Sequence, residues 1–570
     1  MASAYAIGLD FGTNSVRALV VDAATGREAG TGVFEYPSGE DGVLLDRDRP
    51  DLSRQHPGDY VLGVERSVAA AMEEAAQEDH GFDARRVIGI GVDTTGSTPI
   101  PVDKEGVPLG LSHRFRDDPD AQAWLWKDHT GHAEAREITD RARALRPEYL
   151  AKCGGTYSSE WFWSKIWHCL RVAPEVFEAA YTWVEHADWV PAMLSGTERP
   201  DRLKRSICAA GHKAMFHTDW GGYPDEEFLG SLDEALVRVR STLPDRTFNV
   251  SQAAGPLTDE WAGRLGLPAG IPVAVGAFDA HLGAVGSGIA PGTLVKIIGT
   301  STCDLMVAPL EENPGDIPGL CGIVPESVLP GHYGMEAGQS AVGDIFNWFV
   351  RRVRPDGQGH EALTEEAGRL RPGESGLLAL DWLNGNRTIL VDQRLTGLIV
   401  GLTLHSTPAE IYRALIEATA FGARRIMERF EEYGAPVERI VNCGGISDKN
   451  ELVMQIYADV MGRPIMISRS ARTCALGAAV SASVVAGKAA GGHDGFPEAL
   501  RAMTGVRARV FEPDPERCRT YDRLYALYRR MHDAFGMQAV QGDGAPDIVQ
   551  GPHLFDVMKV LLTLRDEVRG

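Results

Sequence analysis

Ala6–Asp22 reads AIGLDFGTNSVRALVVD, an apolar run that stops at Asp10, crosses a turn of Phe11, Gly12, Thr13, Asn14 and Ser15, and resumes as a second apolar run. Ile7, Leu9 and Phe11, then Val16, Ala18 and Val20, alternate with the two-residue period of strands, so the stretch predicts a hairpin. Glycine allows the bend and a close approach of backbone N–H groups to an anion, and Thr13, Asn14 and Ser15 add side-chain donors. Asp10 would repel a phosphate, so beside such a turn its sensible job is to hold Mg2+, directly or through water. Arg17 adds positive charge or faces solvent. Taken alone, the stretch reads equally well as an ordinary turn.

The pattern recurs along the chain. Arg86–Asp103, RVIGIGVDTTGSTPIPVD, is another apolar strand that ends at a hydroxyl-rich bend. Leu294–Pro309, LVKIIGTSTCDLMVAP, repeats strand, Gly-Thr-Ser-Thr turn and strand, with Gly299, Thr300 and Ser301 at the bend. Glu438–Gly462 reads as strand, a Gly444-Gly445 turn, and a helix near Asn450. Turns of this kind in two similar halves describe a nucleotide held in a cleft. No G-x-x-x-x-G-K-[ST] or G-x-G-x-x-G run occurs at these places, which counts against the P-loop and Rossmann readings.

Helical patterns separate the strands. Val61, Val64, Val68, Met72 and Ala75 give an apolar face over Tyr60–Glu78. Thr407 and Glu410, with Pro408 between them, predict a capping box opening a helix that runs towards Gly434. Cys474–Ala486 is short and rich in Ala, Gly and Ser, a buried helix rather than a membrane span. The fold class expected is α/β, with two lobes: residues 1–285, residues 286–537, and a tail over 538–570 that ends in an amphipathic helix from Leu554 to Val568. The boundary falls near Gly283–Pro291.

At 570 residues the chain exceeds one hydrophobic core, and 44% hydrophobic with 24% charged residues suits a globular protein. The net charge of -22 argues against nucleic acid as a partner over a broad surface. No signal-peptide pattern opens the chain, so the expectation is a cytoplasmic protein without a membrane partner. The eight cysteines lack C-x-x-C or Cys/His ligand spacing and read as reduced thiols. Between Arg114 and Ser251 the chain is dense in Trp, Tyr and His; each Trp alone reads as core, but as a group they suit a polyhydroxylated ligand whose C–H faces stack on rings.

GLDFGTNS, IGTSTCD and NCGGISDKN together resemble the actin-like ATPase superfamily, and Gly397–Arg424, GLIVGLTLHSTPAEIYRALIEATAFGAR, is similar to the C-terminal signature of its FGGY carbohydrate kinases, departing from it at Leu415. The resemblance runs from about Tyr5 to about Phe535. It implies two actin-like (ribonuclease H-like) domains with a nucleotide and sugar cleft between them, and Mg-ATP as cofactor. The blocks GVDTTGSTP, WKDHT, GGTYSSEWFWSKI, AGHKAMFH, WGGYP, GAFDAHLGAVG, KIIGTSTCD and EAGQSAVGDI are similar to those of the branch that phosphorylates L-ribulose. Conversion of L-ribulose to L-ribulose 5-phosphate, in L-arabinose catabolism, is therefore the expected reaction. Another ketopentose or a polyol (ribitol, D-ribulose, xylulose) is the alternative, and an actin-like ATPase without sugar transfer a more distant one.

Phosphorylating a hydroxyl needs a base, donors for the γ-phosphate and an in-line geometry. Asp279, set among Ala277, Phe278 and Ala280, is the candidate base; an Asp capping the following helix is the plain alternative. The resemblance places the sugar against Gly96 (through its backbone), Trp126, Lys213, Asp279 and Glu336. Gly96 stands where other branches carry larger residues, which would leave room for a pentulose. Trp126 reads equally as core, and Lys127, Asp128 and His129 are undecided. His212 and His281 read as satisfied structural histidines. A homo-oligomer is compatible with the sequence.

Overall fold

The computed structural model describes residues 3–354, 357, 359–537, 554–556, 558–560, 562 and 563. The opening hairpin forms as read: Tyr5–Phe11 (β1) pairs antiparallel with Ser15–Asp22 (β2), and β2 with Glu28–Glu35 (β3). On its other side β1 runs parallel to Val87–Thr94 (β4), every residue of which is buried, as a central strand covered on both faces requires. Ala253–Pro256 (β5), Pro272–Ala274 (β6) and the short Ala277–Phe278 (β7) complete a seven-stranded sheet of order β3-β2-β1-β4-β6-β5, with β7 also on β4.

The second sheet repeats this plan. Thr293–Ile298 (β8) and Thr302–Pro309 (β9) form the hairpin, Gly322–Pro325 (β10) and His332–Ala337 (β11) extend it, and Arg439–Cys443 (β12), Ile465–Ser468 (β13) and Val506–Phe511 (β14) lie on the other side. Its order is β10-β11-β9-β8-β12-β13-β14, with β8 parallel to β12. Each lobe thus sets a hairpin beside a parallel strand, the arrangement of the expected actin-like α/β fold.

Pro57–Glu78 (α1) covers the first sheet. It begins before the expected Tyr60 because Pro57 fits the first turn and the His56 side chain accepts the Gly58 N–H. The aromatic-rich middle folds around Phe162–Val172 (α2) and Ile207–Lys213 (α3) as its own core, in which Trp124, Trp163 and Trp183 are buried. Most of these rings therefore fill protein rather than a ligand site. Asp279–Gly286 (α4) links the lobes, and Pro408–Glu432 (α5) carries the capping box of Thr407 and Glu410. Glu451–Met461 (α6) and Thr473–Ala486 (α7) follow.

The late helix α7 lies on the first sheet, over β1 and β4. It fits there because Gly8 and Gly91 carry no side chain: a Cβ would fall 1.8 Å from Ala475 O and 1.9 Å from Ala478 O. Crossing α4, it touches backbone again at Gly477, where a Cβ would fall 1.8 Å from Leu282 O. Ala6, Leu19, Leu282, Val295, Val441 and Ala479 share one apolar cluster, so the lobes are joined beneath the cleft.

Most of the 538–570 tail, including 557, 561 and 564–568 of the expected helix, lies outside the described residues. The part that is described rests on the second lobe, with Met558 buried and Lys559 Nζ 2.8 Å from Asp392. Among the described residues no helix is long and apolar enough to cross a membrane.

Candidate active site

Sheet register brings three carboxylates together. Asp10 sits opposite Asp93 where β1 and β4 run parallel, and β7 sets Ala277 beside Asp93, so Asp279 follows just beyond the same edge. The C-terminal ends of parallel strands are where α/β sheets gather ligand-binding groups. Arg17 faces Asp10 in the hairpin, with Nη1 3.4 Å from its carboxylate. Burial pushes the Asp10 carboxyl up, and Arg17 opposes it. Asp93 is fully buried and, among the described residues, neither of its oxygens meets a donor. Burial, then the negative charges of Asp10 and Asp279, hold it well above the usual carboxylate range. The sequence reading passed over Asp93, although the signal was present: GVDTTGS, like GLDFGTNS, is an apolar strand ending on Asp before a hydroxylated bend.

Asp279 opens α4, half-buried, and its Oδ1 accepts the Ala280 N–H at 2.6 Å. Burial, with the charges of Asp10 and Glu336 adding and Ala280 and Lys213 opposing, pushes its carboxyl up to about 7.

Next along the cleft, Lys213 at the end of α3 reaches Glu336 on β11 across the lobes, with Nζ 3.2 Å from both carboxylate oxygens. Burial opposes charge on Glu336, yet Lys213 brings it well below the usual carboxylate range. His212 Nδ1 lies 3.3 Å and His281 Nε2 3.7 Å from the same Glu336 oxygen. Burial keeps both imidazoles neutral, His281 pushed down to about 4. The expectation that these histidines are satisfied is corrected: His212 Nε2 meets Ser327 Oγ at 3.0 Å, but among the described residues His212 Nδ1 and both His281 nitrogens have no hydrogen bond. Lys213 already occupies both Glu336 oxygens, so the trio reads as an ion pair flanked by imidazoles rather than as a metal site.

Trp126 is half-buried, and its indole N–H donates to Thr13 Oγ1 at 3.0 Å. Thr13 O accepts from Gln55 Nε2 at 2.7 Å, so the first turn is held from two sides. Asn14 spends its side-chain N–H on Asp41 O at 2.7 Å. Lys165, on α2, is a second group that sequence reasoning missed: its ammonium donates to Ser97 O and Leu125 O, both at 2.8 Å, and so clamps the Gly96 bend to the Trp126 segment. Burial pushes Lys165 down to about 8 against the pull of Asp128 and Glu185. Glu185 in turn accepts from Thr98 N–H at 2.7 Å and from the Ser97 hydroxyl.

Two further expectations change. The room supposed at Gly96 is filled from behind, since a Cβ there would fall 1.9 Å from Phe278 Cε1. Of the three residues after Trp126, Asp128 is structural, buried against Arg54 and accepting the Ser53 N–H at 2.8 Å. His129 stacks on His132, and Lys127 has no hydrogen bond or ion pair among the described residues.

In the second lobe the two glycine turns lie side by side, because Ile297 and Cys443 are register partners in parallel strands. Gly444, at φ +96°, packs against Ile298, where a Cβ would be 2.5 Å from its carbonyl oxygen. The Gly299–Ser301 turn is fixed by Val342 N–H to Thr300 O at 2.7 Å and Gly299 N–H to Ser301 O at 2.9 Å. Gly445 begins the one-turn helix Gly445–Lys449. Asn450 caps α6 instead of facing the turn: Oδ1 accepts Val453 N–H at 3.1 Å and Nδ2 donates to Thr364 at 3.2 Å.

Residues 5–286 match the N-terminal domain, and residues 294–486 the C-terminal domain, of the FGGY family of carbohydrate kinases. The chain is similar to the ribulokinase of Shouchella clausii, at 43% identity over 99% of both chains. It is similar also to the ribulokinase of Halalkalibacterium halodurans, at 42% identity over 95% of this chain and 96% of the other. The structure of a xylulose kinase from Rhodospirillum rubrum shares the fold, with a TM-score of 0.72 at 22% identity over 93% of this chain and 98% of that one.

Proposed function

Because this chain belongs to the FGGY family of carbohydrate kinases and is a sugar kinase that uses ATP, we propose that it transfers the γ-phosphoryl group to the C5 hydroxyl of L-ribulose, giving L-ribulose 5-phosphate and ADP. The observation that carries the reading is Asp279. It stands between the Asp10–Asp93 strand ends and the buried Lys213–Glu336 pair, with its carboxyl at about 7, where a base can accept a proton at neutral pH.

On this reading Asp279 takes the proton of the C5 hydroxyl as its oxygen bonds to the γ-phosphorus and the bond to ADP breaks. Lys213 and Glu336 give charged hydrogen bonds to the sugar's oxygens. Gly12, Thr13, Ser15 and Arg17 on one lobe, and Gly299, Thr300, Ser301, Gly444 and Gly445 on the other, are the candidate phosphate and nucleotide contacts. Asn14 Nδ2 and both polar groups of the Asn450 side chain are engaged within their own lobes, which leaves Asn14 its side-chain oxygen and second N–H for the nucleotide. Closure of the lobes keeps out water, which would compete as acceptor.

The residues fit Mg2+. Asp93 presents two buried oxygens without a donor beside the Asp10 carboxylate, a set of hard oxygen ligands for a small divalent cation. Cys474, the third member of that group, offers a soft sulfur that a hard cation such as Mg2+ does not take, so Asp10 and Asp93 are the residues that would hold the ion. When bound, Mg2+ supplies positive charge against the phosphates.

The test is ADP release with Mg-ATP across L-ribulose, D-ribulose, xylulose and ribitol. Turnover highest with L-ribulose supports the reading. A preference for another sugar changes the substrate, and sugar-independent hydrolysis overturns the proposal.

A further inference from the structure

Arg387 lies on the loop after the strand Leu378–Leu380, and the loop is tightly tied. Gly338 N–H donates to Thr388 Oγ1 at 2.8 Å, Ile389 N–H to Gly319 O at 3.2 Å, and Leu390 N–H to Asn386 Oδ1 at 3.0 Å. Gly338 is the second residue after Glu336, so the first of these bonds sets Arg387 beside the end of β11 that carries Glu336. For all this anchoring, the guanidinium itself is half-buried and has no hydrogen bond or ion pair among the described residues. The carboxylates that act on it are Glu160, from the other lobe, and Glu336. Glu160 is equally open: among the described residues its carboxylate meets one basic side chain within 4.0 Å, the His129 imidazole, with Nε2 at 3.8 Å. A cation on one lobe and an anion on the other thus act on each other, and among the described residues neither side chain makes a hydrogen bond.

His281, two residues after Asp279 on α4, has its Nε2 3.7 Å from Glu336, and Gly338, two residues beyond Glu336, holds Thr388, the neighbour of Arg387. The groups therefore run in order from Asp10 to Asp279, to the Lys213–Glu336 pair, to Arg387 and Glu160. A five-carbon sugar with its C5 hydroxyl at Asp279 extends its C1–C2 end towards that last pair. In a 2-ketopentose the C5 hydroxyl is free only in the open chain, because ring closure consumes it together with the C2 carbonyl. The reactive form is the one with an exposed carbonyl, which accepts hydrogen bonds and donates none; a guanidinium donates and cannot accept.

We propose that Arg387 is a specificity-determining residue that binds the C2 carbonyl of the open-chain ketose, with Glu160 accepting the C1 hydroxyl, so that a ketopentose is chosen over the corresponding polyol. This rests on the L-ribulose reading above. A C2 hydroxyl could still accept from the guanidinium, but it brings a proton that Arg387 cannot accept, and a buried hydroxyl proton left without an acceptor costs roughly ten- to hundredfold.

The test compares kcat/KM for L-ribulose with the competitive inhibition constant of ribitol, in the wild type and in Arg387→Gln, Arg387→Lys and Glu160→Gln. Melting temperatures confirm that each variant is folded. Arg387→Gln is expected to lower kcat/KM for L-ribulose by roughly thirtyfold or more while the ribitol constant moves less than about threefold, with partial recovery in Arg387→Lys. Equal losses for both sugars in the Gln and Lys variants would mean that Arg387 serves only lobe closure, and would overturn the proposal. Wild-type enzyme that does not turn over L-ribulose would instead remove the substrate reading on which it rests.

Discussion

The indole N–H of Trp126 donates to Thr13 Oγ1, so the aromatic wall expected for the sugar is fastened to the turn expected for phosphate. One hydrogen bond joins the two halves of the site. Trp126→Phe keeps a ring and deletes the bond. It is predicted to raise KM for ATP as well as for sugar, each by roughly three- to tenfold, since a neutral hydrogen bond contributes about 1 kcal/mol. Steady-state kinetics with each substrate varied will check this; an unchanged KM for ATP would disconnect the two ends.

Lys165 satisfies the Ser97 and Leu125 carbonyls from inside the protein, balanced by Asp128 and Glu185. Lys165→Met leaves those carbonyls without a donor and removes a cation beside Glu185 and Asp128, the latter keeping Arg54, a loss of the kind that costs about 3–5 kcal/mol. Thermal melting is predicted to fall by several degrees. KM for sugar should rise more than about tenfold, with a smaller change in kcat, because Lys165 positions the Gly96 bend and the Trp126 segment without touching substrate.

Asp279 sets the pH behaviour. With its carboxyl at about 7 in the folded protein, the fraction able to act as base rises through neutral pH, so kcat/KM for sugar should climb to a plateau above that value. Stability runs the other way. The folded value lies above the ordinary 3.8, so the contribution of Asp279 to stability is full below about pH 4 and is lost as pH rises through about 7. Asp279→Asn without nucleotide should therefore melt higher than wild type at pH 8, by roughly 2–4 °C, and by less at pH 5. Melting curves at the two pH values test the sign directly.

Gly96 is required by its neighbour. A Cβ would overlap the Phe278 ring, and Phe278 immediately precedes Asp279. Gly96→Ala is predicted to lower kcat by roughly a hundredfold through displacement of the base, with Phe278→Leu restoring part of the loss in the double variant. Additive losses in the double-mutant cycle would separate Gly96 from Asp279.

What the sequence discloses is what is local. The hairpin that stops at Asp10 and the capping box at Thr407 and Glu410 depend on residues a few positions apart, and both are legible. Asp93 carries the same strand-end signature as Asp10, but its weight comes from register: only the parallel pairing of β1 with β4 sets the two carboxylates side by side. Lys165 reads as an ordinary helix lysine until the fold wraps three segments around its ammonium. At Asn450 a nearby phosphate turn suggested a ligand, while the helix that starts there claims the side-chain oxygen and Thr364 the nitrogen. Gly96 suggested empty space because the ring that fills it comes from residue 278, far along the chain.

The central claim is that Asp279 is the base, and single-turnover phosphorylation of L-ribulose by Asp279→Asn, with sugar binding measured by calorimetry on the same preparation, tests it most directly. The account predicts a Kd within about threefold of wild type and product formation slower by roughly a thousandfold or more. Product formed at a rate within about tenfold of wild type, with binding intact, would contradict it.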